Sequence, residues 1–428
     1  MTSIITIGLV SLFILGVPIA FSLGLASLGA YFFDQGLGIN IPIMAQRMMY
    51  GINNFLLLAI PLFILAAKLM NTARITARIF DFARNIVGFL PGGLGHANTL
   101  ASLIFSGMSG AAVVDAAGLG QVELKAMQDG GYDRGFSVAV TATSSTIGPI
   151  FPPSIPMVIF GLVSGVSVGK LFLGGVLPGL MMAAALMFMV ASYAYKRRYH
   201  RDPFPRLGVV FKSFFQAFLP ILTPAILLGG IWSGFFTPTE AAAVAVAYAL
   251  VLGLLIYREM SLRDLVEVFI STAKETAAIC FIVCAASFYG WLLMRSGITL
   301  KLAAAIAGVS TEPIVILLLM NGFLLVIGCF LEPVVAILIL GPVLLPVITK
   351  IGIDPLHFGV VMVLNLMIGL LTPPFGIVLF VMVSISELSF ENVVRVTLPF
   401  LVPLLTVLLL ITFFPSIVTA LPNFLIPG

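Results

Sequence analysis

Long uninterrupted apolar runs, separated by short polar stretches and broken in places by glycine and proline, set the pattern along the chain. They do not alternate every second residue, so they predict helices rather than strands. Backbone amides in hydrocarbon must be satisfied internally, and unbroken runs of this length select helices over a closed barrel. In the first half the pattern predicts helices at 2–16, 17–34 and 52–70 and a short amphipathic piece at 71–90. An interrupted apolar segment at 92–125, a helix carrying a double proline at 135–163 and a last helix at 171–195 follow. The second half predicts the same series at 215–233, 238–257, 273–293, 294–311, 313–349, 356–385 and 397–419.

Sliding the chain against itself by 221 residues brings the two series into register. VPIAFSLGLASLGAYFF (17–33) falls near TPTEAAAVAVAYALVLG (237–253), and GYD (131–133) lands on GID (352–354). Gly107 lands on Gly328 and Gly148 on Gly369, while GPIFPPS (148–154) lands on GLLTPPF (369–375). The expected organisation is a first repeat over 1–195, a basic cytoplasmic linker over 196–214 and a second repeat over 215–428.

Composition agrees with a membrane chain. Of 428 residues 61% are hydrophobic and 9% charged, against about 25% charged in soluble domains. The net charge of +4 is no nucleic-acid signal, because the basic residues lie between apolar runs. No basic residue precedes Arg47, so the first apolar run reads as a retained helix rather than a cleaved signal. Cys280, Cys284 and Cys329 lie in apolar segments and read as packing residues. If each interrupted segment enters and leaves on one side, each half has about five crossings and the halves are inverted. Only Arg47, Lys170, Arg295, Lys301 and Lys350 then fall outside, and the other basic residues fall in the cytoplasm. Both termini are then periplasmic. The fold class expected is an all-α polytopic membrane protein of two inverted repeats, each with one re-entrant helical hairpin.

Inverted repeats with broken helices point to secondary transport. Unwound backbone in a membrane lines a protein-buried or wet site, where carbonyls and hydroxyls are hard ligands for small cations. In the first half Ser106, Gly107, Ser109 and Gly110 form a flexible tip. It would face Thr143, Ser144, Ser145, Thr146, Gly148 and Pro149. In the second half Gly328, Cys329 and Pro333 would face Asn365, Gly369 and Thr372. Among the acidic residues in apolar surroundings, Glu332 is suited to ligate a cation, orient a substrate hydroxyl or carry a proton, with a salt bridge or helix cap as its plainer roles. Asp115 reads as a packing or capping residue, and Glu240 as a carboxylate in the first turn of a helix. The amphipathic NTARITARIFDFARNI (71–86) reads equally as an interfacial anchor and as an arm between two bundles. GKL at 169–171 lacks P-loop spacing, so an ion gradient is the expected energy source.

Four stretches resemble the large membrane subunit of tripartite ATP-independent periplasmic (TRAP) transporters. They are NNFLLLAIPLFILAAKLM (53–70), GGLGHANTLASLIFSGMSGAAVVDAAGLG (92–120), GYDRGFSVAVTATSSTIGPIFPPSIPMVIFG (131–161) and FTPTEAAAVAVAYAL (236–250). The resemblance implies an elevator-type symporter of a bacterial inner membrane and no enzyme activity. Its partners would be a small four-helix membrane subunit and a periplasmic substrate-binding protein. Sodium would be the coupling ion, with no other cofactor, for a carboxylated solute such as a sialic acid, a C4-dicarboxylate or another sugar acid. Carried over by position, sodium ligands would come from Ser106, Ser109 and Ser145 with nearby carbonyls, and from Gly328, Glu332, Gly369 and Thr372. Ser109, Ser154, Glu332, Asn365 and Thr372 are the candidate solute contacts. Ala111 and Ala112 stand where the family often has serines, which removes two hydroxyls from the first tip. A proton-coupled carrier using Glu332 or Asp115 is the alternative; a channel or an intramembrane enzyme fits the pattern less well.

Overall fold

The computed structural model describes residues 7–9, 11–13, 15–33, 41–73, 75–199, 201–298, 310 and 312–426. Residues 2–6, 10 and 14 of the first expected helix, most of the second amphipathic piece at 294–311, and the basic residues Arg74 and Lys301 lie outside them. The helices of the first half are α1 (Ile19–Phe33), α2 (Ile41–Ile52), α3 (Ala59–Thr72), α4 (Ile75–Val87), α5 (Gly93–Ser109), α6 (Ala112–Ala117), α7 (Leu119–Asp129), α8 (Arg134–Ser144), α9 (Ile155–Ser164) and α10 (Val168–Arg197). Those of the second are α11 (Leu207–Trp232), α12 (Pro238–Leu250), α13 (Leu262–Arg295), α14 (Pro313–Gly328), α15 (Pro333–Lys350), α16 (Pro355–Gly369), α17 (Ile377–Ser386), α18 (Phe390–Thr397), α19 (Leu401–Phe413) and α20 (Ser416–Leu425). The described residues include 7 helices long and apolar enough to cross a membrane. Phe188, Phe211 and Phe215, on α10 and α11, are all more than half exposed, as lipid-facing side chains are. The protein is a polytopic helical membrane protein.

Helix boundaries follow from local chemistry, and some differ from the sequence expectation. The linker is shorter, because α11 begins at Leu207 rather than at 215. Helix α13 begins at Leu262 rather than at 273, because Ser261 and Asp264 close a capping box there. In the first half the matching stretch is interrupted: Asn54 accepts from Leu56 N at 2.9 Å and separates α2 from α3. Glu240 does stand in a first helical turn, where it accepts from the Thr237 amide and hydroxyl, each at 2.8 Å. Cys280, Cys284 and Cys329 are partly rather than fully buried.

The GYD and GID triplets now have a physical reason. Gly131 (φ 77°) and Gly352 (φ 85°) take the left-handed turn that ends α7 and α15. The next amide closes back on the helix, Tyr132 N to Met127 O and Ile353 N to Ile348 O, both at 3.0 Å. Asp133 and Asp354 then cap α8 and α16, accepting from Phe136 N at 3.0 Å and Leu356 N at 2.8 Å. One triplet stops a helix, buries an apolar side chain and starts the next helix, in both halves.

Helices α8 and α16 occupy the centre. Every residue from Phe136 to Ser144 and from Leu356 to Gly369 is buried. Around them the halves interlock: α9 packs on α15, and α17 packs on α6. Helix α4 lays its apolar face, with Ile75, Ile79 and Phe80, against α5 and α11. That face is covered by protein. Its polar face is tied down by Arg78 to Glu259 at 2.8 Å and Arg84 to Asp202 at 2.7 Å, the latter hydrogen bond raising the Arg84 guanidinium further above its usual range. Lys68–Glu275, Arg134–Glu387 and Arg197–Asp133 are further ion pairs. Each of the five joins segments that the charge pattern assigns to one side of the membrane.

Candidate functional site: two hairpin tips against two helix breaks

Residues 148–154 and 370–376 interrupt the central helices. The half-helices that follow, α9 and α17, have 10 residues each. At 1.5 Å per residue that is about 15 Å, half of the roughly 30 Å hydrocarbon core. Both double prolines, Pro152–Pro153 and Pro373–Pro374, are joined by cis peptide bonds.

In the first half the tip between α5 and α6 rests on its own break. Gly110 (φ 64°) turns the chain, and its carbonyl accepts from Ile155 N at 3.3 Å. A Cβ on Gly110 would lie 2.6 Å from Pro153 O, so the approach needs glycine. In the second half Cys329 O accepts from Phe375 N at 3.3 Å, and Cys329 Sγ lies 3.0 Å from Thr372 Oγ1. Gly328 and Gly369 meet backbone to backbone; a Cβ on Gly369 would collide with Gly328. Sequence reasoning set these tips against these breaks, and the structure brings them together.

This arrangement accompanies a family assignment. Residues 6–417 match the family described as tripartite ATP-independent periplasmic transporter, DctM component. The chain belongs to the DctM family. It is therefore the large permease component of a bacterial TRAP transporter, and a transporter rather than an enzyme. It is 46% identical over 416 residues to the sialic acid TRAP transporter large permease protein SiaM of Vibrio cholerae, covering 97% of each chain. It is 41% identical to the sialic acid TRAP transporter permease protein SiaT of Haemophilus influenzae, covering 96% of this chain and 67% of that one. Its fold is similar to the crystal structure of the Alcanivorax borkumensis YdaH transporter, with a TM-score of 0.63 and 14% identity over 86% of this chain and 87% of that one.

Within this DctM-family fold the expected residues divide by what their side chains touch. Ser106 and Ser145 donate back to their own helices, to Leu103 O at 2.6 Å and Ala142 O at 2.8 Å, and both stay buried beside the break. Thr143 and Thr146 do the same, to Ala139 O and Thr143 O. Ser109 closes α5 with its hydroxyl buried. Gly148 lies against the Asp115 carboxylate. Gly107 faces Pro224 of α11 instead of the break, so its small size serves helix packing. Ser154 is not open to a solute. Its hydroxyl bridges to Pro149 O and caps α9 by accepting from Met157 N at 3.2 Å. Asn365 is also enclosed: its amide donates to Asn321 Oδ1 at 2.9 Å and Val361 O at 2.8 Å. Glu332 takes the cap role, accepting from Val335 N at 3.3 Å at the start of α15. Asp115 does not hold the cap position of α6, which Ala111 occupies, and its buried carboxylate lies beside the Ser109 hydroxyl.

Sequence reasoning missed a polar network behind the first break. Asn98 donates to Thr141 Oγ1 at 2.7 Å and accepts from Ser144 Oγ at 2.8 Å. Ser102 lies 3.0 Å from Ser144 Oγ and 3.2 Å from Glu123 Oε1. The signal for Asn98 and Ser102 was their four-residue spacing, continued by Ser106, along one face of α5. Glu123 was hidden by its polar neighbours Gln121 and Lys125, although helical spacing puts it on one face with Leu119 and Met127. Behind the second break, Asn321 donates to Thr412 Oγ1 at 2.8 Å.

Proposed function

We propose that the chain imports a carboxylated sugar, sialic acid first among the candidates, driven by a sodium gradient. The single observation that carries this reading is that each hairpin tip is hydrogen-bonded onto its own helix break. Hydroxyls, backbone carbonyls and glycine-permitted close approaches then converge twice in one chain, as a small hard cation requires. The names of the two relatives above support sialic acid as the solute. The N-termini of α9 and α17 suit the carboxylate of such a solute, because the positive end of the helix dipole favours an anion there.

The mechanism proposed is an elevator. The interlocked hairpins and broken helices move as a body against α1, α2, α11, α12 and α13, with α4 as an arm between them. The two halves act as inverted repeats in the inner membrane with both termini periplasmic. A small four-helix membrane subunit supports the outer helices, and a periplasmic binding protein delivers the solute. Tracer uptake into proteoliposomes holding the assembled transporter, under imposed sodium or proton gradients, tests the coupling. Sodium-driven accumulation is expected. Uptake that ignores sodium and follows the proton gradient would transfer the chain to the proton-coupled reading through Glu332 or Asp115. Competition by unlabelled C4-dicarboxylate, with none by sialic acid, would overturn the solute class.

A further inference from the structure

Neither the hairpin tips nor the helix breaks involve the basic linker between the halves. Residues 196–212 carry six lysines and arginines against one aspartate. The linker is pinned to the protein rather than left loose. Asp202 N donates to Gly88 O at 3.0 Å, and the Asp202 carboxylate takes two hydrogen bonds from Arg84, at 2.7 and 3.1 Å. The Tyr199 ring stacks on Tyr132 at 4.5 Å, and the Phe204 ring packs on Phe89 at 5.0 Å. The one acidic side chain is thus taken by Arg84, and Arg197 is taken by Asp133. Lys196, Arg198, Arg201, Arg206 and Lys212 are all exposed and have no ion-pair partner among the described residues. Apolar side chains interleave with these charges: Phe204 is 77% exposed, Leu207 75%, Phe211 62% and Phe215 70%. The last three are four residues apart, so they form one ridge of α11, a helix long and apolar enough to cross the membrane. An acidic soluble partner would neutralise the charges but leave that ridge in water. Cations at the head of a lipid-facing ridge instead match a headgroup phosphate above its acyl chains.

We propose that Arg201, Arg206 and Lys212, together with Phe204 and Leu207, bind an anionic phospholipid of the adjoining leaflet. The site is independent of the sodium and solute readings. Its place gives it a consequence for transport. The linker is bonded to α4 and runs on into α11, which packs on both α4 and α5. A lipid held there braces the junction between the first hairpin and the outer helices.

Phosphatidylglycerol titrated into the assembled transporter in neutral detergent, with phosphatidylcholine as the reference, tests this through the melting temperature. A saturable rise with phosphatidylglycerol, and none with phosphatidylcholine, is expected. The triple variant Arg201→Gln, Arg206→Gln, Lys212→Gln should raise the half-maximal phosphatidylglycerol at least about tenfold. Leu207→Ser leaves the charge alone and should raise it several-fold; with Arg201→Gln it carries the test if the triple variant does not assemble. A matched triple of exposed cations elsewhere, Lys125→Gln, Lys274→Gln, Arg395→Gln, should titrate as the wild type. Equal losses in both triples would mean a general charge effect and overturn the site, as would a wild type indifferent to phosphatidylglycerol. A rise that inorganic phosphate reproduces and Leu207→Ser does not weaken would overturn the lipid in favour of a free anion.

Discussion

The two crossings solve one problem with different chemistry. Both press a hairpin tip onto a helix break through a backbone hydrogen bond, yet the first is backed by a buried side-chain network and the second by a direct glycine–glycine contact and the Cys329–Thr372 pair. Behind the first break Asn98, Ser102, Glu123, Thr141 and Ser144 form one buried network. A shift of 221 residues carries four of those positions onto Leu319, Phe323, Leu344 and Met362. The fifth becomes Asn365, which keeps a polar contact by pairing with Asn321. At the second break Gly328 and Gly369 touch directly. At the first, Gly107 has turned to α11 and Gly148 makes room for Asp115. What the two halves share is the helix–turn–helix frame set by GYD and GID. What they do not share is the means of holding the tip.

That contrast predicts a graded response to substitution. Gly369→Ala should be the most damaging change, since the new Cβ meets the Gly328 backbone and neither side can yield. Uptake at background level and a lowered melting temperature are expected. Gly322→Ala, where nothing lies within 4 Å, should leave both unchanged or slightly improved. Glu123→Leu puts the second half's residue into the first half's network. It should cost about 2–3 kcal/mol by taking the carboxylate acceptor from Ser102 and throwing its hydroxyl wholly onto Ser144, read as reduced thermal stability of the purified protein. Asn321→Leu removes one partner from Asn365 and one from Thr412, and should cost about 1–2 kcal/mol in the same assay. Equal costs for the last two would mean that the crossings are held alike and the contrast drawn here is wrong.

Much of this was legible in the sequence because glycine, proline and hydroxyl residues stand out in an apolar chain. The hairpins, the breaks and their pairing could be placed from TSSTIGPIFPPSIP, NLMIGLLTPP and the shift between them. Side-chain direction was not legible. Gly107 and Gly148 look alike in sequence, and only the packing of Pro224 and Asp115 separates their roles. Ser154 looks like a free hydroxyl until the turn that it caps is known. Glu123 sits in a polar run that reads as a helix end facing water, but it lies on the one buried face of its helix, with Leu119 and Met127. The helix start at Leu262 was missed because apolar content, rather than the Ser261–Asp264 capping box, was used to place it; the start at Leu207 has no side-chain cap to mark it.

The central claim is that both tip–break contacts bind the coupling ion. The most direct measurement is sodium-titrated uptake by the wild type, Ser145→Ala, Thr372→Val and the double variant, with membrane insertion checked in each. Each single variant should raise half-maximal sodium severalfold and lower the steepness of the response, and the double variant should lose sodium dependence. Titrations that overlay the wild type in both single variants would contradict the claim.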